Sequence, residues 1–163
     1  MTRSTVVPRS RSGVFGGRPD GPFVMPRLVM AAALFVAGSI HLLLVPEHLG
    51  ESPILGSGFL ASGIAQVVLA GLALWRLRAW SLGLTVVVNL TLIAMYAYAV
   101  LVGLPFSAAS EHVHADAPGL MVGTGEPIDA YGLVSKIAEL LSGAIALLLL
   151  VPPRLQNHIG STN

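Results

Sequence analysis

The chain contains no cysteine, which excludes disulfides, thiolate nucleophiles and cysteine-held metals or clusters. Charge is also scarce. Only 10% of the 163 residues are Asp, Glu, Lys or Arg, against about 25% in an ordinary soluble domain. A soluble fold of this length needs polar side chains to cover its core, and here they are missing. With 54% hydrophobic residues and a mean hydropathy of +0.78, the covering has to be lipid. There is no HExxH, no glycine-rich phosphate loop behind a strand, no interpretable Ser-His-Asp order and no basic stripe for nucleic acid. The net charge of +1 identifies no partner; the placement of the charges says more.

Four apolar runs are present. They cover Leu28 to Val45, Ile54 to Trp75, Ala79 to Leu104 and Tyr131 to Val151. A spanning helix needs about 20 residues. In hydrocarbon every backbone N–H and C=O must find an internal partner, so runs of this length are helices. Pro46, Pro105 and Pro152 stand at the ends of the first, third and fourth runs, and they predict stops there. The fold class is therefore all-α, a four-helix transmembrane bundle. The transmembrane domain covers 27–152, with spans at about 28–45, 54–75, 79–104 and 131–151 and a long outer loop over 105–130. Residues 1–26, with Arg3, Arg9, Arg11 and Arg18 among Ser, Gly and Pro, read as a disordered cytoplasmic tail. An over-extended start ahead of Met25 is the other reading of that stretch. A signal-peptide core with cleavage near Val36-Ala37-Gly38 is the lesser alternative for the first run. Residues 153–163 form a cytoplasmic C-terminal tail.

Orientation follows from lysine and arginine. Of nine basic residues, only Lys136 lies inside a run. The other eight fall on one side of a four-crossing chain: five before the first span, Arg76 and Arg78 between the second and third, and Arg154 after the fourth. Glu47, Glu51, Glu111, Asp116, Glu126 and Asp129 fall on the opposite side. The expectation is N-in, C-in, with Trp75 and Trp80 at the inner interface. The three-residue link at Arg76 to Arg78 makes the second and third helices antiparallel neighbours.

Polar residues inside spans are costly and face the bundle interior. Here they are His41, Gln66, Asn89, Lys136 and Glu139, with Tyr96 and Tyr98 in support. Asp129, Lys136, Glu139 and Gly143 share one helical stripe, as do Thr85, Asn89 and Tyr96. Gly58, Ser62, Gln66 and Ala70 form a small-polar stripe that allows close helix approach. The rise of about 1.5 Å per residue puts this cluster in the outer half of the membrane, with His41 roughly 7 Å below the outer end of its helix. His41, Gln66, Asn89, Tyr96, Lys136 and Glu139 are thus the candidate binding pocket. Each has a plainer reading beside it. Lys136 and Glu139 can simply neutralise each other. Gln66 and Asn89 can be interhelical hydrogen-bond glue, and His41 can be a satisfied core residue.

A weaker metal-like signal lies in the outer loops. His112, His114 and Asp116 stand close together, and His48 lies in the other loop. Imidazole with carboxylate suits zinc, copper or nickel, but a short HxH in a polar loop is commonly just solvated. The sequence requires no cofactor, and a transition metal is the one it leaves open.

The motifs Gly38-Ser39-Ile40-His41-Leu42 to Pro46-Glu47-His48, Val88-Asn89-Leu90 to Gly103-Leu104-Pro105-Phe106, and Gly125-Glu126-Pro127 with Glu139-Leu140 carry a resemblance. In HL…PEH, NL…GLPF and EP…EL the chain resembles an uncharacterised family of small bacterial four-span integral membrane proteins. The resemblance implies a multi-pass protein of the cell inner membrane, and it carries over no catalytic residues. The functional expectation is a non-enzymatic accessory protein, or one that binds a small molecule or ion in an outer-half pocket. Two alternatives stand beside it: a metal- or haem-dependent redox protein using His41 and the outer-loop histidines, and a small transporter. The expected partners are the lipid bilayer and, left open, a second copy or a membrane-complex subunit; nucleic acid is not among them.

Overall fold

Each apolar run becomes one helix. The computed structural model describes residues 24–103, 120, 122–123, 125 and 127–151. Among these, the elements in chain order are α1 (Val24–Glu51), α2 (Pro53–Trp75), α3 (Ala79–Leu101) and α4 (Ala130–Leu150). The architecture is all-α, a four-helix bundle. The helices neighbour one another in the cyclic order α1, α2, α3, α4, with α1 against α2 the closest pair and α2 against α3 the sparsest. The short Arg76–Arg78 link joins α2 to α3 in sequence without drawing them into close packing. One end of the bundle carries Arg27, Arg76 and Arg78 and is called the arginine end. The other carries Glu47, Glu51 and Asp129 and is called the acidic end.

Pro46 does not stop the first helix. α1 runs through it to Glu51, and Ser52 alone separates α1 from α2. Proline removes one N–H donor, but it sits late in α1, where little helix remains to be disrupted. Pro53 then opens α2 at a position where its fixed φ is already helical. The expected outer loop before Pro53 is therefore reduced to one residue, and His41 lies ten residues from the end of α1. That is about 15 Å at the helical rise, twice the depth inferred when Pro46 was taken as the terminus. α3 ends at Leu101, ahead of Leu104 and Pro105. Gly103, at φ +90°, takes up the left-handed conformation that follows the helix and donates to the Tyr98 and Ala99 carbonyls. Leu120 and Ile128 exchange two backbone hydrogen bonds as an isolated antiparallel bridge on the approach to α4. Asp129 caps α4 by accepting from the Gly132 N–H at 2.6 Å.

Small residues set the α1–α2 approach. A Cβ on Gly38 would lie 2.9 Å from the Gly63 carbonyl oxygen, and one on Gly63 would lie 3.0 Å from the Gly38 carbonyl oxygen. Only hydrogen fits at either position, and the backbones meet as in other membrane helix pairs built on small residues. At the arginine end Arg27 donates to the Ala73 and Leu74 carbonyls at 3.0–3.1 Å, closing the C-terminus of α2 with a cation. The expected small-polar stripe is only partly an interface: Gln66 and Ala70 are buried, whereas Gly58 is exposed and has nothing within reach of a Cβ.

The half nearest the arginine end is packed with apolar side chains. Met30, Leu34, Leu69, Ala73, Leu82 and Ala146 form its buried cluster. The outside of the bundle is apolar too, with Phe35, Leu43, Val68, Leu90 and Leu148 exposed. In water such a surface would associate; in lipid it is the solvated face. All four helices are long and apolar enough to cross a membrane, and Trp75 and Trp80 stand exposed around the arginine link. These features describe a multi-pass membrane protein.

The glycine contact gives a direct test. Gly38→Ala forces backbone against backbone and is expected to cost about 1–3 kcal/mol. Gly83→Ala, where a Cβ meets nothing within 4 Å, is expected to be neutral or to stabilise by up to about 1 kcal/mol. Thermal unfolding in detergent measures both, and equal melting temperatures would contradict the close α1–α2 crossing.

Candidate functional site

Each helix sends one polar group to the same level of the bundle: His41 from α1, Gln66 from α2, Asn89 from α3 and Glu139 from α4. All four are buried, and Glu139 and Gln66 have no exposed surface at all. A carboxylate in that position must be surrounded by donors. Oε2 of Glu139 accepts from Lys136 Nζ at 2.5 Å. Oε1 accepts from Ser135 Oγ at 3.1 Å and Gln66 Nε2 at 3.4 Å, and lies 3.7 Å from His41 Nε2. Gln66 Nε2 also donates to Asn89 Oδ1, and Asn89 Nδ2 donates to Ser142 Oγ at 2.7 Å and to the Glu139 backbone carbonyl. The network therefore ties α2, α3 and α4 together by hydrogen bonds, and α1 joins through His41.

The tautomer of His41 follows from its neighbours. Nδ1 lies 2.9 Å from the Ala37 carbonyl oxygen, which can only accept, so Nδ1 carries a proton. In the neutral ring Nε2 is then a lone pair, and it faces the Glu139 carboxylate. Two acceptors oppose each other unless a further proton sits on one of them. That proton makes either imidazolium against carboxylate or neutral imidazole against carboxylic acid.

On the acidic side of this network lies a cavity of about 380 Å³. All four helices line it. Ile54, Leu55, Phe59, Leu92 and Met95 supply apolar walls, and His41, Ser62, Tyr96, Ser135 and Lys136 supply polar groups. Glu47, His48 and Asp129 line it toward the acidic end. Phe59 stands between the two histidines, 5.4 Å from the His41 ring and 3.9 Å from that of His48, the latter edge to face. Lys136 Nζ sits 5.4 Å from the Tyr96 ring centroid, within cation–π range.

Of the six residues expected to form the pocket, His41, Tyr96 and Lys136 line the cavity. Gln66, Asn89 and Glu139 do not; they form the buried layer behind it. Ser135 and Ser142 complete that layer and were not singled out in the sequence, although both lie on the Glu139 face at i−4 and i+3, where helical phase puts them. Phe59 was missed because an aromatic in an apolar run carries no signal of its own. Tyr98 is exposed and takes no part. His48 lies at the cavity with Nδ1 3.7 Å from Glu51 Oε2. His112, His114 and Asp116 lie outside the described residues. Among the described residues no three His, Asp or Glu side chains converge as metal ligands would.

The buried pair makes an asymmetric prediction. Lys136→Met leaves the fully buried Glu139 without its ammonium and is expected to cost about 3–5 kcal/mol. Glu139→Leu strands an ammonium that borders the cavity and can hydrate, so it costs less. Lys136→Met with Glu139→Leu should approach wild-type stability. Thermal unfolding in detergent checks the order, and two harmless single changes would contradict a buried ion pair. No protein-family model, curated protein or solved structure matches this chain.

Proposed function

We propose that this is a non-enzymatic protein of a bacterial-type cytoplasmic membrane that binds a small molecule in its cavity from the outer side. The cavity carries the proposal: about 380 Å³ falls within the usual range of ligand sites, and a few convergent polar groups stand among apolar walls. Its acidic end is taken as the outer one because the arginines gather at the other. The reactive groups beside the cavity already have structural duties. Both Glu139 oxygens are engaged, and His41 Nδ1 is held by Ala37, which favours binding over chemistry. The resemblance to small bacterial four-span proteins fits the same setting.

The absence of native cysteine makes the test clean. Val122→Cys is expected to react with an impermeant maleimide added to intact cells, and Ala79→Cys is expected to stay protected. Gly58→Cys, at a cavity-lining position where a Cβ meets nothing within 4 Å, should react with a small methanethiosulfonate reagent from outside. The reverse pattern at Val122 and Ala79 would overturn the orientation, and an inert Gly58→Cys would overturn a cavity open to the outer side.

A further inference from the structure

We infer that the cavity takes an amphipathic monocarboxylate as its anion, and that binding it takes up one proton at the His41–Glu139 contact. The inference rests on the binding reading above and names its ligand.

Consider the charges that a molecule in the cavity would meet. Lys136 and His41 line the space, and Glu139 does not. The carboxylate lies behind them, with Oε2 held by Lys136 and Oε1 facing Ser135, Gln66 and His41. The deep surface therefore presents the Lys136 ammonium, which keeps N–H groups beyond the one given to Glu139, beside the His41 ring; the Ser62 and Ser135 hydroxyls already donate to the Phe59 carbonyl and to Glu139. Apolar walls from Ile54, Leu55, Phe59, Leu92 and Met95 suit an alkyl or aryl body. A carboxylate head on such a body matches both halves, because charge-assisted hydrogen bonds to an ammonium gain strength away from water.

Charge balance then brings in the proton. With His41 neutral, Lys136 and Glu139 cancel, and an incoming anion leaves one uncompensated negative charge. With a proton on Nε2, Lys136 and His41 together face Glu139 and the ligand, and the group is neutral. The same proton removes the clash between the Nε2 lone pair and Glu139 Oε1, which are 3.7 Å apart. The groups around His41 are Glu139 and Lys136 from α4, Gln66 and Phe59 from α2, and the Ala37 carbonyl and His48 from α1; Tyr96 from α3 stands over Lys136. Of the acids nearer the mouth, Asp129 is engaged as the α4 cap and Glu47 is exposed to solvent, which screens it. A ligand entering as anion and proton arrives, in sum, as the neutral acid.

The test uses three probes with one body: octanoate, octanol and octylammonium. Binding is measured by calorimetry on the full chain in phosphatidylcholine nanodiscs, with empty discs subtracted. Octanoate is expected to bind at least tenfold more tightly than either analogue. Its affinity should rise as pH falls from 8 to 6, approaching about tenfold per pH unit, with one proton taken up per octanoate in buffers of different ionisation enthalpy. Lys136→Met should abolish the preference for octanoate. Glu139→Gln, which keeps the size and removes the hidden anion, should bind octanoate more tightly at pH 8 and flatten the pH dependence. That gain cannot come from misfolding, so the proposal stays exposed even if Lys136→Met unfolds. Equal binding of octanol and octanoate, or no proton uptake, would overturn the proposal while leaving a binding cavity. No binding of any probe would overturn both. Displacement of octanoate by phosphatidylglycerol included in the disc would assign the anion site to a lipid headgroup and overturn the free-carboxylate reading.

Discussion

A carboxylate with no access to water organises the middle of this bundle. Glu139 would carry a desolvation penalty of several kcal/mol if left alone in an apolar interior. It is tolerated because donors meet it from several directions: Lys136 and Ser135 from its own helix and Gln66 from α2, with His41 of α1 alongside. Asn89 fixes the α4 backbone beside it through the Glu139 carbonyl and Ser142. Lipid gives no hydrophobic drive for helices to associate, because tails are as apolar as leucine. A shared polar demand of this kind selects one arrangement among the many that apolar packing would accept.

That layer divides the bundle into two unlike halves. Toward the arginine end, Met30, Leu34, Leu69 and Ala146 fill the interior. Toward the acidic end the interior stays open, with all four helices lining it. Gly38 and Gly63 hold α1 and α2 in backbone contact near the middle.

The sequence revealed the helices because hydrocarbon leaves a long apolar run no other choice, and the fold class followed directly. It also revealed which polar residues gather, since His41, Gln66, Asn89, Lys136 and Glu139 could face only inward. Which of them meet the cavity was not legible. Periodicity gives a helix face but not the gap between two helices, so Gln66, Asn89 and Glu139 could not be told apart from His41 and Lys136. The proline rule misled at Pro46, because a late proline costs a helix only one donor while the bilayer still demands that the backbone stay bonded. Arg27 counted as a topology signal, and nothing in the sequence showed that it reaches the carbonyls that end α2.

The Arg27 clasp bears on how such a chain is put together. α1 and α2 are joined by Ser52 at one end and held by Arg27 on Ala73 and Leu74 at the other. This hairpin is closed at both ends by its own residues. α4, which carries Lys136 and Glu139, is the last of the four helices in chain order. The groups that meet Glu139 from other helices, His41, Gln66 and Asn89, therefore all lie earlier in the chain, and only Ser135, Lys136 and Ser142 belong to α4 itself.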